Sequence, residues 1–173
     1  CEALILPGVG AFAQGMANLK NYNLIPVIHD FVETGKPFLG ICLGMQLLFD
    51  ESEEFGITTG LGLINGRVIT MPLPVGCTEK LPHVSWNELK PPGTSLKAHP
   101  FWRAIPENPD VYFVHSFVGV PVNPEEVLAV ANYGNVDFCA AANRANIYGV
   151  QFHPEKSQQA GQTVLANFLR WKP

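Results

Sequence analysis

Phe38-Leu39-Gly40-Ile41-Cys42-Leu43-Gly44-Met45-Gln46-Leu47-Leu48-Phe49, residues 38–49, is the stretch on which the fold turns. Its first four residues form an apolar run of the kind buried on both faces of a parallel sheet. Cys42 ends the run, and Met45 to Phe49 read as a helical stretch. Upstream, Ala3-Leu4-Ile5-Leu6 is another wholly apolar run, closed by Pro7 and Gly8, and reads as a second strand buried on both faces. Between the two, Leu24, Val27, Ile28 and Phe31 recur at helical spacing, with Pro26 in the first turn and Gly35 as the stop. Strand, helix, strand, helix in that order argues for a doubly wound, mostly parallel α/β sheet.

The rest of the chain reads differently. Arg67–Met71, Val84–Trp86, Val111–Ser116, Val127–Ala131, Phe138–Asn143 and Ile147–Phe152 are short strand candidates between Pro, Gly and Asn turns. They predict an antiparallel or mixed extension of the sheet. Val164, Leu165, Phe168 and Leu169 predict a closing amphipathic helix. No repeat, low-complexity tract or linker divides the 173 residues, so a single domain spanning 1–173 is expected.

Bulk composition excludes several classes of function. A net charge of -4 with scattered Lys and Arg argues against nucleic acid or an anionic membrane as the main partner. The apolar stretch 38–49 is too short to span a bilayer. Cys1, Cys42, Cys77 and Cys139 show no C-x-x-C pairing and no nearby His at ligand spacing. Neither a zinc site nor a disulfide framework is expected, and no motif asks for a cofactor. Free thiols fit a reducing cytosol. The chain opens on Cys1 and runs almost at once into an apolar strand, so it reads as one whose beginning is missing.

Three features carry chemistry. Gly40-Ile41-Cys42-Leu43-Gly44 has the form of a nucleophile elbow, with the flanking glycines allowing a sharp turn. The thiol then stands at a helix N-terminus, where the macrodipole favours thiolate. The plainer alternative is a buried structural cysteine. Gly149-Val150-Gln151-Phe152-His153-Pro154-Glu155 delivers His153 and Glu155 from a strand end. Pro154 biases His153 towards extended backbone, so the two side chains project to one side. Glu155 would then orient an imidazole that deprotonates Cys42; alone, His-x-Glu is more often a surface pair. Pro7-Gly8-Val9-Gly10 lies at the sheet edge where open α/β folds bind ligands, and its free N–H groups, with that of Leu43, suit an oxyanion. It lacks the Lys and Ser/Thr of a phosphate loop. Gln46 lies one turn beyond Cys42, placed for substrate or for a buried backbone group. His115 is a rival base or a structural histidine. His83 and Trp86-Asn87 read as exposed or partner-facing, and His29 and His99 as ordinary helix and loop residues.

PGVGAF at 7–12, GICLGMQLLF at 40–49, PHVSWNEL at 82–89, YFVHSF at 112–117 and GVQFHPEKS at 149–157 resemble the class I, triad-type glutamine amidotransferases, above all the glutaminase subunits of imidazole glycerol phosphate synthases. The motifs run in the same order across nearly the whole chain. The resemblance implies a flavodoxin-like sheet and a Cys42-His153-Glu155 triad. It implies an oxyanion hole from the backbone of Val9, Gly10 and Leu43, completed when a partner is loaded with its own substrate. Gly8, Gln46 and the backbone at His115, Ser116 and Phe117 would hold glutamine, and His83, Trp86 and Asn87 would face the partner. That partner would be a (β/α)8-barrel cyclase, joined as a heterodimer, receiving ammonia to make imidazole glycerol phosphate and aminoimidazole carboxamide ribotide. His83-Val84-Ser85-Trp86 departs from the family, which carries a Met-Gly pair before the tryptophan. Family members also carry a further β-α unit before the position of Cys1, so the sheet is expected to lack its first strand and helix and to expose an apolar edge.

Rival readings are a glutaminase serving an anthranilate or CTP synthase, a free-standing γ-glutamyl hydrolase or cysteine peptidase, and an inactive truncated scaffold.

Overall fold

The computed structural model describes residues 1–93 and 99–170. Its central sheet runs β1-β2-β11-β10-β9. β1 (Leu4–Gly8), β2 (Phe38–Cys42) and β11 (Ile147–Val150) are parallel, and β10 (Val136–Arg144) and β9 (Val127–Tyr133) extend them in antiparallel fashion. This is the mostly parallel sheet with an antiparallel extension that the strand pattern implies. The middle strand β2 is buried at every residue. Its alternate side chains feed two cores: Leu39 and Ile41 join Tyr148, Val150, Phe113 and Phe168 on one face. Phe38 joins Ile147, Met45, Leu48 and Phe49 on the other. Each such buried side chain is worth about 1.5–3 kcal/mol, so the sheet centre is the most strongly determined part of the fold.

β1 differs from its sequence reading. It is half-buried in alternation rather than buried on both faces, because it pairs with β2 alone and leaves Ile5 partly exposed. Next to it, α1 (Phe12–Asn21) and α2 (Leu24–Glu33) follow. α1 went unread because Gly15 interrupts its pattern. That glycine packs against Leu43 and Leu47, while Phe12, Met16 and Leu19 at helical spacing enter the core. In α2 only Ile28 is buried, and Leu24 and Val27 stay exposed.

The expected helix over Met45–Phe49 is corrected to a single turn, α3 (Leu43–Gln46). Phe49 opens β3 (Phe49–Ser52), which pairs with β4 (Thr58–Thr59) and β5 (Ile64–Thr70), and β5 pairs with β8 (Phe117–Pro121). The helix stops because the carbonyl of Leu48 takes the N–H groups of Leu63 and Ile64 instead of an intrahelical donor. β6 (His83–Glu88) and β7 (Asp110–His115) form a separate antiparallel pair, and α4 (Gln158–Arg170) closes the fold. No helix among the described residues is long and apolar enough to cross a membrane.

The elbow glycines serve close approach. A Cβ on Gly40 would lie 2.5 Å from the Gly44 carbonyl oxygen, and one on Gly44 only 1.8 Å from that of Leu6. α3 can therefore sit against β1 and β2 only without those methyls. Gly44→Ala should cost about 3 kcal/mol or more, read as a lowered urea midpoint. An unchanged midpoint would mean that β1 and α3 separate freely.

Candidate active site

Cys42 ends β2 and turns the chain into α3 at φ 53, ψ -111, a conformation that an L residue adopts only under strain. The sharp turn falls on the cysteine itself, and the glycines around it keep ordinary φ values. The turn lifts Sγ out of the sheet into a cavity of about 280 Å3 bordered by Val9, Gly10, Leu43, Gln46, Glu54, Pro82, Val114, His115, Ser116, Phe117 and His153. Sγ lies 3.9 Å from the carbonyl oxygen of Val114 and 3.8 Å from Nε2 of Gln151. Burial pushes the thiol up to about 11, against a smaller lowering from the Leu43 N–H. The macrodipole's pull towards thiolate does not prevail here: one helical turn is too short a dipole to offset desolvation. The resting group is a neutral thiol.

His153 follows β11 at the opposite wall. Its backbone is extended, as Pro154 requires, and its N–H bonds the Tyr112 carbonyl at 2.9 Å. Ser157 Oγ donates to the His153 carbonyl at 2.6 Å and accepts from the Tyr112 N–H at 3.0 Å, locking the turn to β7. His153 Nδ1 meets Glu155 Oε1 at 2.7 Å. A carboxylate can only accept, so Nδ1 carries a proton, and in the neutral ring Nε2 presents the lone pair. Nε2 is buried with no protein partner. A buried, unpaired ring nitrogen on a cavity that also holds a neutral thiol has the chemistry to accept a proton.

The other predicted residues sort cleanly. Val9 and Gly10 border the cavity, with Gly10 at φ +98, whereas Gly8 packs on Leu43 behind it. Gln46 Nε2 donates to the Phe117 carbonyl and to Gln151 Oε1, both at 3.0 Å. His115 is buried and pushed down to about 3 by burial first and by His83 second, so it is a neutral structural ring and no rival base. His83 is fully buried, which corrects its partner-facing reading: β6 turns His83, Ser85 and Asn87 inward and leaves Val84 (52%) and Trp86 (43%) exposed. Hydropathy favoured the opposite phase. The polar residues win because His83 lies opposite His115 and stacks on Phe113 and Tyr133. Glu54 was missed. It sits on the cavity wall and accepts the Phe12 N–H at 2.6 Å, an arrival from 42 residues away that leaves no local signal.

The neutral buried histidines carry a pH signature. His83 and His115 are both held below their ordinary value by burial. Their stabilisation is complete above about pH 6.5, the unfolded value, and is lost as pH falls towards about 3, where folded His115 titrates. Below pH 6.5 the unfolded chain binds the extra proton, so unfolding free energy should drop by about 1.4 kcal/mol per pH unit for His115, with a further contribution of the same sign from His83. His115→Gln should flatten that slope in urea titrations between about pH 6 and 5.3, above most of the carboxylate titration. An equal slope in the variant would remove His115 as the source.

Residues 2–171 match the family profile described as "Glutamine amidotransferase class-I". This chain belongs to that family. Imidazole glycerol phosphate synthase subunit HisH 1 of Legionella pneumophila strain Lens is 45% identical over 172 residues, covering 98% of this chain and 81% of the relative. Subunit HisH of Acaryochloris marina strain MBIC 11017 is 48% identical over 168 residues, covering 97% and 76%. Among solved structures, a chain of PurLQS from Thermotoga maritima superposes with a TM-score of 0.68 at 21% identity, over 97% of this chain and 78% of that one. At that identity the likeness speaks for the amidotransferase fold alone. Among the described residues no cluster of three His, Cys, Asp or Glu is placed to hold a metal ion.

Proposed function

We propose that this chain is the glutaminase subunit of an imidazole glycerol phosphate synthase, using Cys42, His153 and Glu155 as nucleophile, base and orienter. The observation that carries the reading is the unpaired Nε2 of His153, backed by Glu155, on the cavity that holds the Cys42 thiol. Identity of 45% and 48% to HisH subunits selects this synthase among the amidotransferases.

The steps follow from the groups present. Glutamine enters with its α-ammonium near Glu54, the one acid bordering the cavity among the described residues, and its carboxamide near Sγ. Nε2 of His153 takes the thiol proton as sulfur attacks the carboxamide carbon. The N–H groups of Leu43 and the Val9–Gly10 loop take the oxyanion. The imidazolium then protonates the departing nitrogen, ammonia leaves, and water attacks the thioester with His153 again as base, releasing glutamate. Ammonia passes to a (β/α)8-barrel cyclase docked as a heterodimer on the face that exposes Val84 and Trp86, in the cytoplasm. Lys156, 5.6 Å over the Tyr112 ring beside Trp86, adds a cation to that face.

The test is ammonia release from glutamine by the chain alone, with the cyclase, and with the cyclase loaded with its nucleotide substrate. Release that rises on adding the loaded cyclase supports the reading. Full release by the chain alone points to a free-standing hydrolase, and response only to another synthase sinks the assignment.

A further inference from the structure

Gln151 directly follows β11, two residues before His153, and takes no part in the steps above. It is fully buried, and its backbone N–H donates to the Ala140 carbonyl at 2.9 Å. A buried side-chain amide needs partners at both ends, so where each end points is informative. Its nitrogen and oxygen are told apart through those partners.

Those partners leave one orientation. A Gln46 amide end lies 3.0 Å from the Phe117 carbonyl oxygen, which can only accept, so that end is the nitrogen, Nε2. The same Nε2 lies 3.0 Å from the Gln151 amide and donates to its Oε1. Reversing Gln151 would face nitrogen with nitrogen, two donors with no acceptor between them. Gln151 therefore presents oxygen to Gln46 and Nε2 to Cys42 Sγ, 3.8 Å away. On its other side Sγ lies 3.9 Å from the Val114 carbonyl oxygen, which accepts the thiol hydrogen. The resting sulfur thus donates to Val114 and accepts from Gln151.

The two neighbours act in opposite directions once Sγ gives its proton to His153 Nε2. The Val114 oxygen then faces a negative sulfur, whereas the Gln151 N–H gains a charge-assisted bond and keeps its own proton. The Leu43 N–H also reaches the sulfur, but the oxyanion claims it once attack begins. We propose that Gln151 is a positioning residue for the nucleophile: its amide, oriented by Gln46 and Phe117, donates from Nε2 to Cys42 Sγ and stabilises the negative charge that forms there. The inference rests on the glutaminase reading and adds a donor beside its nucleophile.

Two measurements on the full chain test it. In 1H–15N spectra, Cys42→Ala removes the acceptor of the Gln151 side-chain amide. One of the two Nε2 proton resonances should then move upfield, while the backbone N–H bonded to Ala140 holds its position. Unmoved side-chain resonances overturn the proposal. Next, labelling of Cys42 is followed by mass spectrometry at about pH 8, with exposed Cys1 as the reference thiol. Gln151→Met keeps the length of the side chain and removes the donor. It should slow iodoacetamide at Cys42 about tenfold, where a merely loosened site would speed it. With 6-diazo-5-oxo-L-norleucine, a glutamine mimic, the maximal rate should fall about tenfold while half-saturation stays within about threefold. Wild-type or faster rates, or a change confined to half-saturation, overturn the proposal alone. A wild type that glutamine does not protect from the mimic overturns the glutaminase reading and this inference with it.

Discussion

Cys42→Ala should abolish glutamine-dependent ammonia release, by about 10^4-fold or more, and leave ammonia-dependent synthesis by the assembled complex intact. The argument is geometric. Cys42 holds a strained φ of 53 at the mouth of β2 so that Sγ enters the cavity, and alanine is no larger than the residue it replaces. Removing the sulfur deletes the only thiol that borders the cavity among the described residues and leaves the walls standing. Parallel loss of ammonia-dependent synthesis would show that the substitution acts on folding or docking. Surviving glutamine turnover would show that another group attacks the carboxamide.

His153→Gln should lower turnover by roughly 10^3 to 10^4-fold near neutral pH. The thiol pushed up to about 11 is almost wholly protonated there, so attack depends on a base that takes its proton in the same step. Glutamine fills the space of the ring but offers no basic nitrogen. The sign of the pH dependence follows: as pH rises towards 11 the variant forms thiolate unaided, so its deficit should shrink by about tenfold per pH unit. A deficit that stays constant with pH would mean that His153 shapes the site rather than moving protons. His115 cannot replace it, since its Nδ1 is committed to Phe117 and its Nε2 to His83.

What could be read from the chain was whatever is contained within a few residues. The apolar run of β2, the elbow around Cys42 and the His153-Pro154-Glu155 turn each depend on neighbours in sequence, and each stands where its pattern implies. α3 failed because its length is set from outside: strands 64–70 and 117–121 recruit Phe49 into β3. The role of Gly44 was misplaced for the same reason, since the carbonyl it makes room for belongs to Leu6, whereas Gly40 makes room for the carbonyl of Gly44.

By itself the sequence determined the apolar strands that become β1 and β2, the closing helix and the family, and it singled out a candidate sulfur, imidazole and carboxylate, because periodicity and turn chemistry are local. Tertiary structure alone decided that Glu54 borders the cavity, that the thiol rests neutral, and that β6 buries His83 rather than Trp86. Those outcomes are set by desolvation and by which face of a strand meets another element. Both are properties of distant segments brought together, and no window of neighbouring residues contains them.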